Sequence, residues 1–423
     1  MKISEKSIPS INENYKRIDF DNGFTVFIIK KQSTVFYGSV AVNFGSADTK
    51  IPNTGVEFPV GTAHFLEHKM FETKQGDAFR LYAKYGGDAN AYTSGDRTVY
   101  LFSCTENFYE NLGILLDHVF NASFTEKLVK KEKGIISQEI KMYEDNPRWR
   151  AHRDLLEIMY GKCSISADPC GTLEFIKNVD IDPLNKCRDI AYRPSNMTLC
   201  VCGNIEENAL IEFVDKRVGY MEKRDKVRFA PPDISDSIIS RRHIEYGDVY
   251  TPLFYVGVRF DNILDTSDKK SFAAIEILLN LLLTRSSDLY SELYDEGLFE
   301  EIDVNFQTVR NAYYAVISGA SKEPDRLYEE LLSSFERISE KGFSKEDFVR
   351  TKKSLYADLV YSFATPETLA DAVLSFDLED DDFFEYPAVI AGIDKEYAEE
   401  IFNKAFKSEN TCVSVIYPKE AKK

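Results

Sequence analysis

The chain has 423 residues, enough for two domains that each bury a sizeable core, and its 52 Lys and Arg against 70 Asp and Glu give a formal charge of −18. That charge repels polyanions and sets nucleic acid and anionic membrane surfaces aside as expected partners, and no apolar run reaches the roughly eighteen residues of a membrane-spanning helix. Seven cysteines form no Cys-x-x-Cys pair, and the polar stretch from Met1 to Arg17 lacks a secretory apolar core, so the expectation is a cytoplasmic chain with reduced thiols.

Taken in chain order, Val35 to Asn43 reads as a strand, and Gly61-Thr62 opens a helix that carries His64-Phe65-Leu66-Glu67-His68. Asp88-Ala89-Asn90-Ala91-Tyr92-Thr93 follows the turn signal Gly86-Gly87 and precedes a β-rich run from Thr98 to Cys104. Apolar residues at three- and four-residue spacing predict a helix over Glu106 to Phe120, with a charged helix over Glu126 to Met142 behind it. A strand is expected over Leu199 to Cys202, after Ala191 to Asn196.

The second half repeats this order. Asp303 to Thr308 matches Asp88 to Thr93 at a distance of 215 residues, and is followed by a β-rich run (Ala312 to Ser318) and a helix (Glu323 to Ile338). Ala405 to Asn410 before Val413 to Ile416 matches Ala191 to Asn196 before Leu199 to Cys202. The charged, Pro-containing stretch Lys223 to Ser235 reads as the connection. The predicted fold is α+β, two tandem homologous domains at 1–225 and 236–423, each an antiparallel sheet with helices packed on it.

His64 and His68 lie one turn apart on one helical face, which is metal-ligand spacing. Catalytic zinc takes three protein ligands and keeps a position for water, so a third ligand must come from elsewhere. Glu67 stays near the same face, placed to take a proton from the metal-bound water. Two histidines four apart also occur as capping or packing groups, so the motif alone leaves that reading open. His118, His152 and His243 stand alone and read as structural.

His-x-x-Glu-His inverts the thermolysin-type His-Glu-x-x-His order and marks the inverzincins. The segment resembles the pitrilysin and insulinase family, which includes the mitochondrial processing peptidases. Four further stretches carry the resemblance in the family's order: Gly86 to Thr93, Glu132 to Glu139, Tyr143 to Pro147, and Tyr192-Arg193-Pro194-Ser195-Asn196-Met197. It implies a zinc peptidase in which Glu139 is the third ligand and Glu132 an accessory glutamate, both on one face of their helix two turns apart. It also implies a chamber built from four such domains, of which this chain supplies two.

The second half carries no metal motif: its helix Lys269 to Leu283 has no histidine, and the counterpart of Glu139 falls at about Leu359. Where the family carries an Arg and a Tyr that hold substrate and oxyanion, Tyr294 and Glu300 stand here. A carboxylate repels an oxyanion, so the expectation is the zinc subunit of a heterodimer whose partner supplies those donors, with a homodimer as the alternative. Asn90 and Ala91 are the expected contacts for a peptide substrate adding to an edge strand, although an ordinary strand and turn explains the same residues. A non-catalytic scaffold retaining a relic metal site, and a non-peptidase zinc hydrolase, are the competing readings.

Overall fold

The computed structural model describes residues 1–73, 76–122, 124–264 and 269–421. Strands β1 (Lys2–Ile8), β2 (Glu13–Asp19), β3 (Thr25–Lys30) and β4 (Phe36–Val42) precede a ribbon, β5 (Lys50–Ile51) and β6 (Val56–Glu57). Helix α1 (Thr62–Met70), a second ribbon of β7 (Glu72–Thr73) and β8 (Gly76–Asp77), and α2 (Ala78–Lys84) lead to β9 (Asp88–Thr93) and β10 (Thr98–Cys104). Helices α3 (Phe108–Asn121), α4 (Glu126–Asp145), α5 (Pro147–Tyr160), α6 (Leu173–Asn178) and α7 (Ile181–Ala191) are followed by β11 (Met197–Gly203) and α8 (Glu207–Val214). The second half holds β12 (Arg242–Gly247), β13 (Leu253–Arg259), α9 (Lys269–Leu283), α10 (Asp288–Asp295), β14 (Glu301–Val309) and β15 (Ala312–Ala320). It ends with α11 (Pro324–Lys341), α12 (Lys345–Ser362), α13 (Pro366–Leu378), α14 (Tyr386–Gly392), α15 (Lys395–Ala405) and β16 (Thr411–Pro418).

The strands form one sheet in the order β1-β2-β3-β11-β4-β10-β9 and another in the order β12-β16-β13-β15-β14. Removing β1 and β2 leaves the same five-strand pattern, antiparallel except for β3 beside β11 and β12 beside β16. The register repeats as well: Asp88 opposes Ser103, and 215 residues later Asp303 opposes Ser318. The fold is therefore α+β and internally duplicated, as the sequence repeat implies.

The division expected from the repeat, 1–225 and 236–423, follows the chain, whereas the compact units do not. One unit gathers residues 1–140, 168–230 and 359–386; the other gathers 141–167, 231–358 and 387–423. In the first, α13 covers β4 and β11. Its Leu369, Ala370, Val373 and Leu374 form one apolar stripe buried against Phe27, Ile29, Tyr37, Ala41 and Cys200. Polar anchors accompany the stripe: Tyr37 donates to Asp371 at 3.1 Å, and Asp377 takes Arg17 at 2.6 Å and the Thr198 hydroxyl at 2.7 Å.

In the second unit α5 plays that part against β12, β13 and β16. Gly257 on β13 leaves room for it, since a Cβ there would collide with Met159 Cε. Both helices start from the same local signal, a capping side chain followed by proline at the first helical position. Asn146 accepts from the Arg148 and Trp149 amides before Pro147, and Thr365 from the Thr368 amide before Pro366.

Leu369 lies late in the chain yet is fully buried in the first unit. Leu369→Ala is expected to cost about 2–5 kcal/mol in urea denaturation. Hydrogen exchange should locate the loss in the amides of β4 and β11 rather than those of β13 and β16.

Candidate metal centre

Helix α1 starts where two glycines let two loops touch. Gly61 has a φ of 97°, and a Cβ on it would lie 2.7 Å from the Cys170 carbonyl oxygen and 2.8 Å from Gly171 Cα. Gly171, at φ 83°, is equally constrained, because its Cβ would lie 2.6 Å from the Val60 carbonyl oxygen. Thr62 Oγ1 donates to the Pro59 carbonyl at 2.7 Å, closing the turn. Phe65, Leu66 and Met70 are then fully buried, which fixes the rotation of α1 about its axis.

His64 and His68 stand with ring centroids 4.6 Å apart. Glu139 of α4 meets both: its Oε1 is 3.6 Å from His64 Nε2 and its Oε2 is 3.6 Å from His68 Nε2. These donor atoms lie within 4.8 Å of one another, the one such group among the described residues. Ligand atoms on a tetrahedral zinc ion sit roughly 3.4 Å apart. The donor set, two imidazoles and a carboxylate, and its spacing both fit that ion.

Glu132 lies two turns earlier on α4, and its Oε1 accepts from His68 Nδ1 at 3.0 Å. A carboxylate can only accept, so Nδ1 carries a proton and Nε2 is the ring nitrogen left facing Glu139. The other oxygen of Glu132 takes Lys69 Nζ, also at 3.0 Å. Burial alone pushes the Glu132 carboxyl up, but the hydrogen bonds from His68 and Lys69 outweigh it and hold the group below the ordinary carboxylate range. Burial likewise disfavours a charged His68, and the Glu132 hydrogen bond with the charges of Glu67, Glu132 and Glu139 overcomes it, raising the pKa. The surroundings are set for positive charge.

Glu67 is held from β9, where Thr93 Oγ1 donates to its Oε2 at 2.6 Å. Thr98, opposite Thr93 in the hairpin, donates to the Phe44 carbonyl at 2.9 Å. Strand β9 is the outer strand of its sheet, and the Ala91 amide donates to the Asn90 side chain at 2.9 Å. Cys170 Sγ is 3.9 Å from His64 Nε2. Burial first, then the charges of Asp168 and Glu139, push the pKa of this thiol up.

The remaining histidines do not join the group. His118 is buried, its pKa lowered by burial to about 3, and His243 lies 3.3 Å from Asp154. In the second unit Tyr294 is more than half exposed on α10, and Glu300 accepts from Thr251 Oγ1 at 3.4 Å. Nothing in the spacing of residues marks Lys69 or Thr93 as part of the site. Thr93 ends the Asp88–Thr93 segment whose backbone was singled out, and Lys69 adjoins the motif, but neither position announces its partner in sequence.

Residues 30–168 match the family described as insulinase (peptidase family M16), and residues 178–355 match the peptidase M16 inactive domain. The chain belongs to this insulinase, or M16, peptidase family. It is 32% identical to a Bacillus subtilis protein named as the uncharacterized zinc protease YmfH, over 94% of this chain and 95% of that one. A crystal structure of an M16-like peptidase from Alicyclobacillus acidocaldarius superposes with a TM-score of 0.92 at 29% identity, covering 98% of this chain and 99% of the other. The periplasmic protease PqqL of Escherichia coli shares the fold at 18% identity with a TM-score of 0.76, and there 96% of this chain spans 48% of the longer one. Among the described residues, no helix is long and apolar enough to cross a membrane.

Gly61→Ala and Gly55→Ala both place a side chain at positive φ, 97° and 69°, but only Gly61 is crowded, with nothing within 4 Å of a Cβ on Gly55. The Gly61 variant is therefore expected to lose about 1–3 kcal/mol more than the Gly55 variant in urea denaturation. Equal losses would remove the loop contact as the feature that seats α1.

Proposed function

We infer that the chain is a zinc-dependent endopeptidase and the zinc-carrying subunit of a two-chain enzyme. The observation that carries this reading is the meeting of His64, His68 and Glu139, with the Glu139 oxygens 3.6 Å from both imidazoles and Glu67 on the same helix as the histidines. His64, His68 and Glu139 would hold the ion. Zinc bound there supplies Lewis acidity, which polarises a peptide carbonyl and brings deprotonation of water within reach of neutral pH.

The protein's own groups do the rest. Glu67, tethered through Oε2 by Thr93, takes the proton from the attacking water at Oε1 and passes it to the leaving amine. An extended peptide adds as a further strand along the outer edge of β9, where the Ala91 amide exchanges its Asn90 partner for a substrate carbonyl. Glu132 keeps the proton of His68 on Nδ1. The negative charge that develops on the carbonyl oxygen needs donors, and Tyr294 and Glu300 stand where the family carries its Arg and its Tyr. A homologous partner chain supplies them in this reading, consistent with the way this chain spans half of a longer relative. Seven free thiols, six of them buried, support the cytoplasmic placement.

The test is zinc content by elemental analysis of wild type, Glu139→Gln and Glu67→Gln, each assayed on fluorogenic peptides alone and with a homologous chain carrying the Arg and Tyr. Wild type should carry one zinc, Glu139→Gln should lose it, and Glu67→Gln should keep it while losing about 10²–10⁴-fold in rate. Mixing should raise wild-type cleavage by about 10²–10³-fold, the worth of one oxyanion donor. Full activity of the chain alone would favour the homodimer. Zinc with no cleavage in any mixture would favour the scaffold.

A further inference from the structure

Lys69 is the residue the catalytic reading leaves unused. It follows His68 directly in α1, and its side chain is fully buried, 0% exposed. An ammonium group is costly to bury, and an apolar side chain of similar length would fill the same space without that cost. Its partners account for the charge. Nζ lies 3.0 Å from Glu132 Oε2 and 3.8 Å from Glu72 Oε1, while the second oxygen of Glu132 takes His68 Nδ1 at 3.0 Å. Two consecutive residues of α1 thus hold both oxygens of one carboxylate on α4.

We propose that Lys69 is a positioning residue that fixes the His68 ring for metal binding by holding Glu132 in place, an inference that rests on the zinc reading above. With Oε2 unheld, the carboxylate is free to turn away from His68. His64 has no comparable tether: its Nδ1 is buried and finds no hydrogen-bond partner among the described residues. The tautomer and ring orientation on the His68 side therefore depend on Glu132, and Glu132 on Lys69.

The experiment uses the full chain as Lys69→Met, Glu132→Gln and the double variant, with zinc affinity read by competition against a chromophoric chelator. Urea midpoints are measured in parallel, and absorption spectra of the cobalt-loaded proteins report coordination. Lys69→Met should weaken zinc binding by about 10–100-fold and alter the cobalt spectrum, neither of which a change in stability alone would do. The double variant should bind zinc no more weakly than Glu132→Gln, because Lys69 acts only through that carboxylate. If Lys69→Met does not fold, the neutral pair in the double variant still permits this comparison.

Zinc affinity and cobalt spectrum unchanged in Lys69→Met, or a double variant clearly weaker than Glu132→Gln, overturns the role of Lys69 and leaves the zinc reading standing. A wild type that takes up no zinc overturns both.

Discussion

His64 and His68 are fixed relative to each other by one turn of helix, but Glu139 reaches them from α4, so the candidate centre exists only while α1 and α4 keep their separation. Several features of the first unit serve that distance. The Gly61 and Gly171 contact sets where α1 begins, and the buried Phe65, Leu66 and Met70 set its rotation. Two turns before Glu139, Glu132 is clasped by His68 and Lys69, a second attachment between the same two helices. The spacing of seven residues on α4 places both carboxylates on one face, so a single helix position serves both contacts.

The local balance of charge follows from the same arrangement. Glu67, Glu72, Glu132 and Glu139 surround two imidazoles and one ammonium, an excess of anions in partly buried surroundings. Such a cluster is stable only with cations among it, and a divalent ion between the imidazoles and Glu139 would complete the balance. The donor atoms that meet are two imidazole nitrogens and carboxylate oxygens, a set that suits a hard or borderline ion.

Much of this was legible in the amino-acid order because it is local. The helix read over Lys269 to Leu283 and the strand over Thr98 to Cys104 have the same limits in the structure, since periodicity and flanking turns suffice to mark them. The helix read from Glu106 starts at Phe108 instead, because Asn107 takes a left-handed conformation at φ 53° that cannot belong to it. The approach of Glu139 to the histidines came from family likeness rather than spacing, as nothing in a linear order sets the distance between two helices. Lys69 was not legible, because a lysine after the motif reads as solvated until its burial is known. The apolar stripes of α5 and α13 announce that both helices are covered, but not which sheet covers them.

By sequence α5 belongs to the first repeat and α13 to the second, yet each packs in the other unit, and this exchange affects how the chain comes into being. The strands β3 and β4 are synthesised early, yet the helix that covers one face of their sheet is not complete until Leu378 has been added. A nascent first unit therefore emerges with an apolar surface bare, and long-range closure of this kind slows folding and invites chaperones. A gene encoding only one of the two repeats would meet the same shortage permanently, unless two copies lent each other a helix. Tandem duplication turns that mutual loan between molecules into an internal one, independent of concentration.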